Sequence, residues 1–377
     1  MRYSYIQLLT DFKPTFGILF LILALCFMAN TKPARAQDPQ FSQFYANPLY
    51  LNPAFTGATG DARVTLNYRN QWPGLDANFV TYAASYDQYV RKFRSGIGIQ
   101  FKNDQQGAKV NTPLMSSDLT LYYSYLIPVN DTWAIQAGLA PTYGVRNLNY
   151  NKFLFGDQID DNGPTGNPSM EDFAKENVHY FDFAAGVLIF TESLWMGFSA
   201  HHMNEPNLSF TGGEDKLPIK GSFHAGVTIP LTGWMTGKPD YNNKTITPTV
   251  LYKFQGKSDQ LSVGAYFNYN PIVIGAWYRG LPLKRYETTL MNQDAFALLV
   301  GLKHNGFQFG YSYDVTINDL FRASAGSHEI SLVYNFTVNF DHAKGPRKSG
   351  YPRVTCPSPW RNYERLRYRH VKKRRVK

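Results

Sequence analysis

The chain of 377 residues is 16% aromatic and 18% charged, with a formal net charge of +10. Residues 1–36 carry +3 and residues 341–377 carry +11, which leaves −4 for the body between them. A basic nucleic-acid-binding domain is therefore excluded for the body, and the lack of long apolar stretches in it excludes a helical membrane protein.

The first 36 residues have the features of a signal peptide. Arg2 and Lys13 provide a basic start, residues 17–29 form an apolar run, and residues 34–36 read Ala-Arg-Ala, a small-x-small pattern that precedes a cleavage site. The apolar run is shorter than the roughly 20 residues with which a helix crosses a bilayer. We therefore predict that the chain is exported and that the signal peptide is cleaved near Ala36.

Residues 37–60 precede the first predicted strand and show no alternation of apolar and polar side chains. The pairs Asn47-Pro48 and Asn52-Pro53 disfavour helix and favour extended or turn geometry. We predict an ordered periplasmic lead-in segment that folds back against the β-structure that follows, or into its interior.

Residues 61–340 alternate between apolar and polar side chains, with the period of two that a strand shows when its faces meet different surroundings. In residues 63–69, every second side chain is Val, Leu or Tyr and the others are polar. The last segment, residues 329–340, alternates in the same way. Helical spacing is not sustained in this region, so we expect an all-β fold.

Ending each alternating segment at a cluster of Gly, Pro, Asn or Asp gives about 14 strands. The predicted strands cover residues 61–72, 79–90, 95–104, 113–127, 132–147, 178–190, 193–203, 220–231, 246–255, 259–270, 271–281, 294–304, 306–317 and 328–340.

The connections between these strands predict a membrane barrel. Short turns, such as residues 128–131, mostly alternate with longer loops, such as residues 148–177, as in outer-membrane barrels with short periplasmic turns and long outer loops. We therefore predict a transmembrane antiparallel β-barrel of about 14 strands in the cell outer membrane, with its apolar face on lipid. Arg at Leu332 should then cost about 2–4 kcal/mol in lipid, whereas Arg at Ser331 on the other face should cost little.

Charged residues on the polar strand faces predict ion pairs inside the barrel. We expect Asp314 to pair with a lumenal arginine, either Arg63 or Arg69. Glu329 opens the final strand, and we expect it on the lumenal side or at the rim.

The chain shows no signature of an enzyme, since it contains no G-x-S-x-G, no G-x-x-x-x-G-K and no H-E-x-x-H motif. His201 and His202 are adjacent, so on a strand their side chains point to opposite faces and cannot hold one metal together. We predict neither catalysis nor a cofactor or metal.

Residues 341–377 form a basic tail with interleaved tyrosines, which superficially resembles a nucleic-acid-binding arm. After an exported barrel, however, the tail would lie in the periplasm, so we expect no nucleic acid there. Anionic lipid, cell-wall polymer or a periplasmic protein are the available partners, and a solvated extension without a partner is the alternative. Cys356 is the one cysteine left after signal-peptide removal, so no intramolecular disulfide is expected.

Five motifs of the chain resemble the PorP/SprF family of the type IX secretion system. They are the opening Gln37–Gly57 (QDPQFSQFYANPLYLNPAFTG), Asn67–Trp72 (NYRNQW), Gly310–Asp314 (GYSYD), Gly326–Leu332 (GSHEISL) and Cys356-Pro357. The family-motif residues for which we expect a structural or interaction role are Asn52, Pro53, Asn67, Arg69, Trp72, Asp314, Glu329 and Cys356.

The resemblance implies an outer-membrane barrel that assists secretion or surface attachment of large cargo proteins, such as gliding adhesins, alongside the secretion machinery. The alternation of the strands alone leaves two other functions open. A passive porin or small-molecule transporter would have the same strands, and a soluble periplasmic β-protein that binds a ligand would alternate too.

Overall fold

The computed structural model describes residues 38–108, 112–130, 132–150, 153–160, 163–167, 169–170, 175–231, 244–285, 291–317 and 321–338. Within these residues, fourteen antiparallel strands form one closed barrel. The strands are β1 (Ala62–Gln71), β2 (Phe79–Val90), β3 (Ser95–Gln106), β4 (Leu114–Pro128), β5 (Ala134–Leu148), β6 (Asn177–Phe190), β7 (Leu194–His201), β8 (Lys220–Val227), β9 (Lys244–Gln255), β10 (Ser258–Tyr269), β11 (Ile272–Arg285), β12 (Met291–His304), β13 (Phe307–Thr316) and β14 (Ser327–Phe336).

Every strand pairs with its neighbours in the chain, and the barrel closes where β1 meets β14. At this seam, Ala62 lies opposite Phe336 and Gln71 lies opposite Ser327. Closure leaves none of these fourteen strands with a free edge, which removes the main route by which sheets aggregate. The predicted all-β barrel of about 14 strands is thus confirmed, and the strand bounds differ from the predicted ones by a few residues.

The outer and inner faces of the wall differ in polarity because side chains alternate along each strand. On β1, Leu66 is 46% exposed and points outward, whereas its neighbours Thr65 and Asn67 are buried in the lumen. On β14, Leu332 is 39% exposed and Ser331 is buried. The outer face is therefore apolar and the inner face polar, as expected for a barrel that lipid surrounds.

The two ends of the barrel differ in the length of their connections. At one end, here called the short-turn end, most connections have two to five residues, namely residues 91–94, 129–133, 191–193, 270–271 and 305–306. The opposite end, the long-loop end, carries residues 149–176 and 202–219. Each end has one exception: the connection of two residues, 256–257, at the long-loop end, and the connection of residues 228–243 at the short-turn end.

Helices are few and short in the residues that the structure describes. They are α1 (Pro48–Leu51), α2 (Phe321–Ser324) and the 3-10 turns Pro53–Phe55, Arg91–Phe93 and Gly156–Gln158. No helix in these ranges is long and apolar enough to cross a membrane. Two-residue strand pieces occur at Ile159–Asp160, Gly163–Pro164 and Ile229–Pro230.

Residues 38–58, here called the lumen segment, pass through the interior of the barrel. Of residues 41–58, all but Tyr50 are buried. The segment begins at the long-loop end, where Asp38 contacts Lys220, the first residue of β8. It reaches the short-turn end at Gly57, whose backbone N–H donates to Asp87 at 2.8 Å. The segment predicted as a periplasmic lead-in therefore lies inside the lumen along its described length.

Candidate functional site: the lumen segment and the long-loop end

Glycines on the inner wall give the backbone of the lumen segment room to pass. A Cβ atom added to Gly138 would lie 2.4 Å from the backbone nitrogen of Ala54, and one added to Gly96 would lie 2.0 Å from the carbonyl oxygen of Thr56. Atoms that are not bonded to each other do not approach so closely. The wall and the segment are therefore fitted to each other, and these glycines are required by contact rather than by backbone torsion.

Near the long-loop end, two arginines and two carboxylates hold the start of the segment. Arg69 binds Asp314 at 2.8 Å and Glu329 at 3.0 Å, and Arg279 binds Asp314 at 3.2 Å. We call Arg69, Arg279, Asp314 and Glu329 the charged cluster. The Ser42 hydroxyl donates to Asp314 at 2.5 Å, and it accepts hydrogen bonds from Arg69 and Arg279.

Glu329 holds the segment by its backbone. Its two carboxylate oxygens accept the N–H groups of Ser42 at 2.7 Å and of Gln43 at 3.0 Å. Hydrogen bonds to a charged acceptor are stronger than those between neutral groups. Because Glu329 is fully buried, water does not compete for these bonds, and the arginine beside it balances its charge.

The expected pairing of Asp314 with a lumenal arginine is present. Of the two candidates, Arg69 makes this pair, whereas Arg63 binds Asp87 at 2.8 Å close to the short-turn end. Arg63 also donates to the carbonyl oxygen of Phe55. Both arginines therefore contact the lumen segment, at opposite ends of it.

The middle of the segment is fixed by Asn52. Its side-chain NH₂ donates to the carbonyl oxygens of Val187 and Phe198 on β6 and β7, at 3.2 and 3.1 Å, and lies 3.2 Å from His224 Nε2. Its side-chain oxygen caps the following turn by accepting the N–H of Ala54 at 2.8 Å. Pro53 begins that 3-10 turn, which suits a residue without an N–H donor.

Aromatic side chains surround the second half of the segment. Tyr45 packs edge-on against Trp195 and Tyr266, with ring centroids 5.5 and 5.9 Å apart, and its hydroxyl accepts the indole N–H of Trp195. Phe55 stacks on His224 at 5.1 Å. Aromatic pairs in such geometries contribute beyond the area they bury, so this part of the lumen resembles a protein core.

A second group of charges lies at the long-loop end and is here called the rim cluster: Asp38, Asp182, His202 and Lys220. Asp38 binds Lys220 at 2.5 Å and His202 Nε2 at 2.8 Å, while His202 Nδ1 binds Asp182 at 2.7 Å. Burial favours the neutral imidazole, but the Asp38 carboxylate and the hydrogen bond to Asp182 outweigh it and raise the pKa of His202 to about 9. His202 is therefore cationic at neutral pH.

The other predicted family-motif residues lie in different places. Asn67 is buried on the inner face of β1. Trp72 follows β1 with a left-handed φ of 57°. Its backbone N–H donates to the carbonyl oxygen of Gly326 at 2.9 Å, and its ring packs on Phe79. Cys356 lies outside the described residues. The structure thus brings Arg69, Asp314 and Glu329 together, but not with Asn67 or Trp72.

Several residues of this site were not singled out from the sequence. They are Asp38, Ser42, Gln43, Asp182, Lys220, His224 and Arg279, and His202 was considered only as a metal ligand. The available signal was their inward position on polar strand faces, together with the polar residues of the opening motif. Among the described residues, no group of three or more His, Cys, Asp or Glu side chains could hold a metal ion.

Comparisons with known proteins identify one family and several barrels. The family described as "Type IX secretion system membrane protein PorP/SprF" matches residues 34–334. The toluene transporter TodX of P. putida is similar in structure, with a TM-score of 0.43 and 9% identity over 76% of this chain and 93% of that one. KdgM porin has a TM-score of 0.33 and 9% identity over 73% of this chain and 99% of its own chain. CdiB from Acinetobacter baumannii has a TM-score of 0.38 and 8% identity over 73% of this chain and 60% of its own chain. No curated protein matches the chain.

Proposed function

Because the chain belongs to the PorP/SprF family of type IX secretion system membrane proteins, we propose that it is a non-enzymatic accessory of that system in the outer membrane. It assists the secretion or surface attachment of specific large cargo proteins, such as gliding adhesins. The signal peptide is removed near Ala36 on the way to this location.

The observation that supports this role best is the filled lumen. A porin needs a water-filled channel, whereas residues 41–58 occupy the interior and are buried against its wall. Asn52, the charged cluster and the rim cluster hold the segment at three levels of the barrel. The passive porin alternative is therefore the weaker one, and the surfaces available for binding are the two ends.

We assign cargo to the long-loop end and secretion machinery to the short-turn end with the basic tail. In the loop of residues 149–176, Leu154 and Ile159 are 53% and 51% exposed and Met170 is 91% exposed. Apolar side chains in a loop beyond the strands are typical of protein-binding surfaces.

A gene deletion scored on the secreted and surface proteome tests this function, with outer-membrane fractionation of the complemented strain. Selective loss of one or a few large surface proteins is expected. An unchanged surface proteome with altered solute uptake would favour the porin instead. Release of the protein by carbonate without detergent would favour a soluble protein.

Complementation with point variants tests the assignment of cargo to the long-loop end. Leu154→Ala together with Ile159→Ala should lower cargo secretion while the barrel still assembles, because these exposed side chains lie outside the fourteen barrel strands. Leu139→Ala is the matched control, since Leu139 is 59% exposed but points outward from β5. Equal cargo secretion by the loop variant and the control would contradict the assignment.

A further inference from the structure

An open cleft lies at the long-loop end between the lumen segment and the wall formed by β8, β9 and β10. Its empty space, open solvent included, is about 660 Å³. Its lining includes the apolar side chains of Phe41, Phe44 and Leu251, each at most 6% exposed, together with the lysines Lys220 and Lys253 and the carboxylates Asp38 and Asp259. The cleft therefore combines an apolar lining with charged groups of both signs, and Lys220 is already paired with Asp38.

The cleft is open at the long-loop end, beside the shortest connection of that end. The connection between β9 and β10 has only two residues, 256 and 257, whereas residues 149–176 and 202–219 rise at the same end. Gln255 and Ser258, which flank that turn, both line the cleft.

Lys253 is a basic side chain without a bound carboxylate. The other lining lysine, Lys220, is paired with Asp38. Among the described residues, Lys253 has no ion pair or hydrogen bond, and three of the four charged groups that act on it most are cations, namely Arg279, Lys220 and Arg69. The two arginines are already bound to carboxylates. A buried or half-buried charge without a partner is costly, so this position favours an incoming anion.

We propose that this cleft binds a carboxylate that carries an apolar or aromatic body. The Lys253 ammonium group receives the carboxylate, and the two phenylalanines with Leu251 contact the body. A carboxylate fits better than a phosphate, because a phosphate recruits several donors and the neighbouring arginines are engaged. The ligand is either a free acid or the C-terminal residue of a protein chain, and the site does not depend on the secretion role proposed above.

Binding measurements on the purified full-length protein in a neutral detergent test this proposal. The probes are 3-phenylpropionate and N-acetyl-glycyl-phenylalanine, each compared with its neutral amide by titration calorimetry or ligand-observed NMR. Both acids should bind saturably, and both amides should bind about tenfold more weakly, because they lack the charge that Lys253 receives. Tighter binding of the peptide than of 3-phenylpropionate assigns the source to a protein C-terminus, and the reverse order assigns it to a free acid.

Variants identify the cation responsible. Lys253→Met should weaken binding of the acids about tenfold, and Lys253→Arg should retain most of it. Lys216→Met is the matched control, since it removes a positive charge from an exposed loop at the same end without touching the cleft. Equal binding of acids and amides, an unaffected Lys253→Met variant or the absence of saturable binding would each overturn the proposal. If Lys253→Met fails to fold, the comparison of acids with amides on the native protein still tests the proposal.

Discussion

The two halves of the lumen segment are held by different physical means. Residues 38–43 are held by the charged cluster and the rim cluster, in which nearly every contact involves an ionised side chain. Residues 44–58 are held mainly by aromatic packing, by Asn52 and by the close approach of backbone to Gly138 and Gly96, with one ion pair, Arg63–Asp87, at their far end. The first residues are thus fixed mostly by paired charges, and the longer remainder is fixed mostly by packing, with a single ion pair at its end.

The two means of holding the lumen segment contribute differently to its stability and to the choice of its position. Burying apolar surface contributes about 25 cal/mol for each Å² removed from water, so the aromatic half supplies most of the favourable free energy. Buried ion pairs roughly offset their own desolvation, but breaking one leaves an uncompensated charge. The charged half therefore defines where the segment lies, and it tolerates single losses poorly.

The largest effect is expected from Arg69→Met. This substitution leaves Glu329 without its arginine and leaves Asp314 with Arg279 as its remaining arginine. The free energy of unfolding should fall by about 3–5 kcal/mol, the cost of breaking a buried pair. Urea unfolding in lipid vesicles measures it. Arg322→Met, at an exposed position of α2, is the control and should change little. Similar stability of both variants would show that the charged cluster is not buried as described.

The next prediction compares a substitution on the outer face of the barrel wall with one on its inner face. Leu332→Arg should destabilise the protein by about 2–4 kcal/mol in lipid. Our sequence-based expectation of little cost for Ser331→Arg is revised, because Ser331 donates to Gln43 at 2.6 Å and is buried against the lumen segment. Overpacking at this position should cost about 1–3 kcal/mol. An inert Ser331→Arg variant would indicate an empty lumen.

The packed half of the segment is tested by Gly138→Val. The added side chain collides with residues 53–54, and we expect a loss of about 1–3 kcal/mol together with partial displacement of the segment. Planar-bilayer recordings should then detect a conductance that the native protein lacks. Ala137→Val, which points outward from the same strand, should leave the lumen closed. A closed Gly138→Val barrel would argue against the close fit.

The smallest effect concerns His202 and depends on pH. Its pKa of about 9 in the folded protein lies above the ordinary value of about 6.5. The rim cluster should therefore stabilise the fold fully below pH about 6.5 and lose this contribution as the pH rises through about 9. His202→Gln should cost about 1 kcal/mol at pH 6, and the difference from the native protein should vanish above pH about 9. A difference that does not change with pH would contradict this assignment.

The strands and their faces could be predicted from the sequence because they depend on a local period of two. Residues 61–340 carry that period, and fourteen strands resulted. The path of residues 38–58 could be predicted only as two alternatives, against the β-structure or into its interior, because a segment without a period gives no indication of what covers it. The opening motif showed only that the backbone is extended or turned at Asn47-Pro48 and Asn52-Pro53.

The candidate site could be predicted only in part. Asp314 was expected to pair with one of two arginines, and Arg69 makes the contact. The full charged cluster needs barrel closure, since Arg69 lies 245 residues from Asp314 and 260 from Glu329 in the chain. Arg279 and Ser42 complete it from two further segments. No local pattern contains that information.

The direction of the lumen segment has a consequence for the order of assembly. The chain enters β1 at the short-turn end, yet Asp38 lies at the long-loop end, so residues 38–58 run the length of the interior. Ser42 is held jointly by Arg69 on the first strand and Glu329 on the last strand. Its binding site is complete only when those two strands meet. The segment therefore gains its full set of contacts only in the closed barrel, and a barrel that closed without its segment would have to be threaded afterwards.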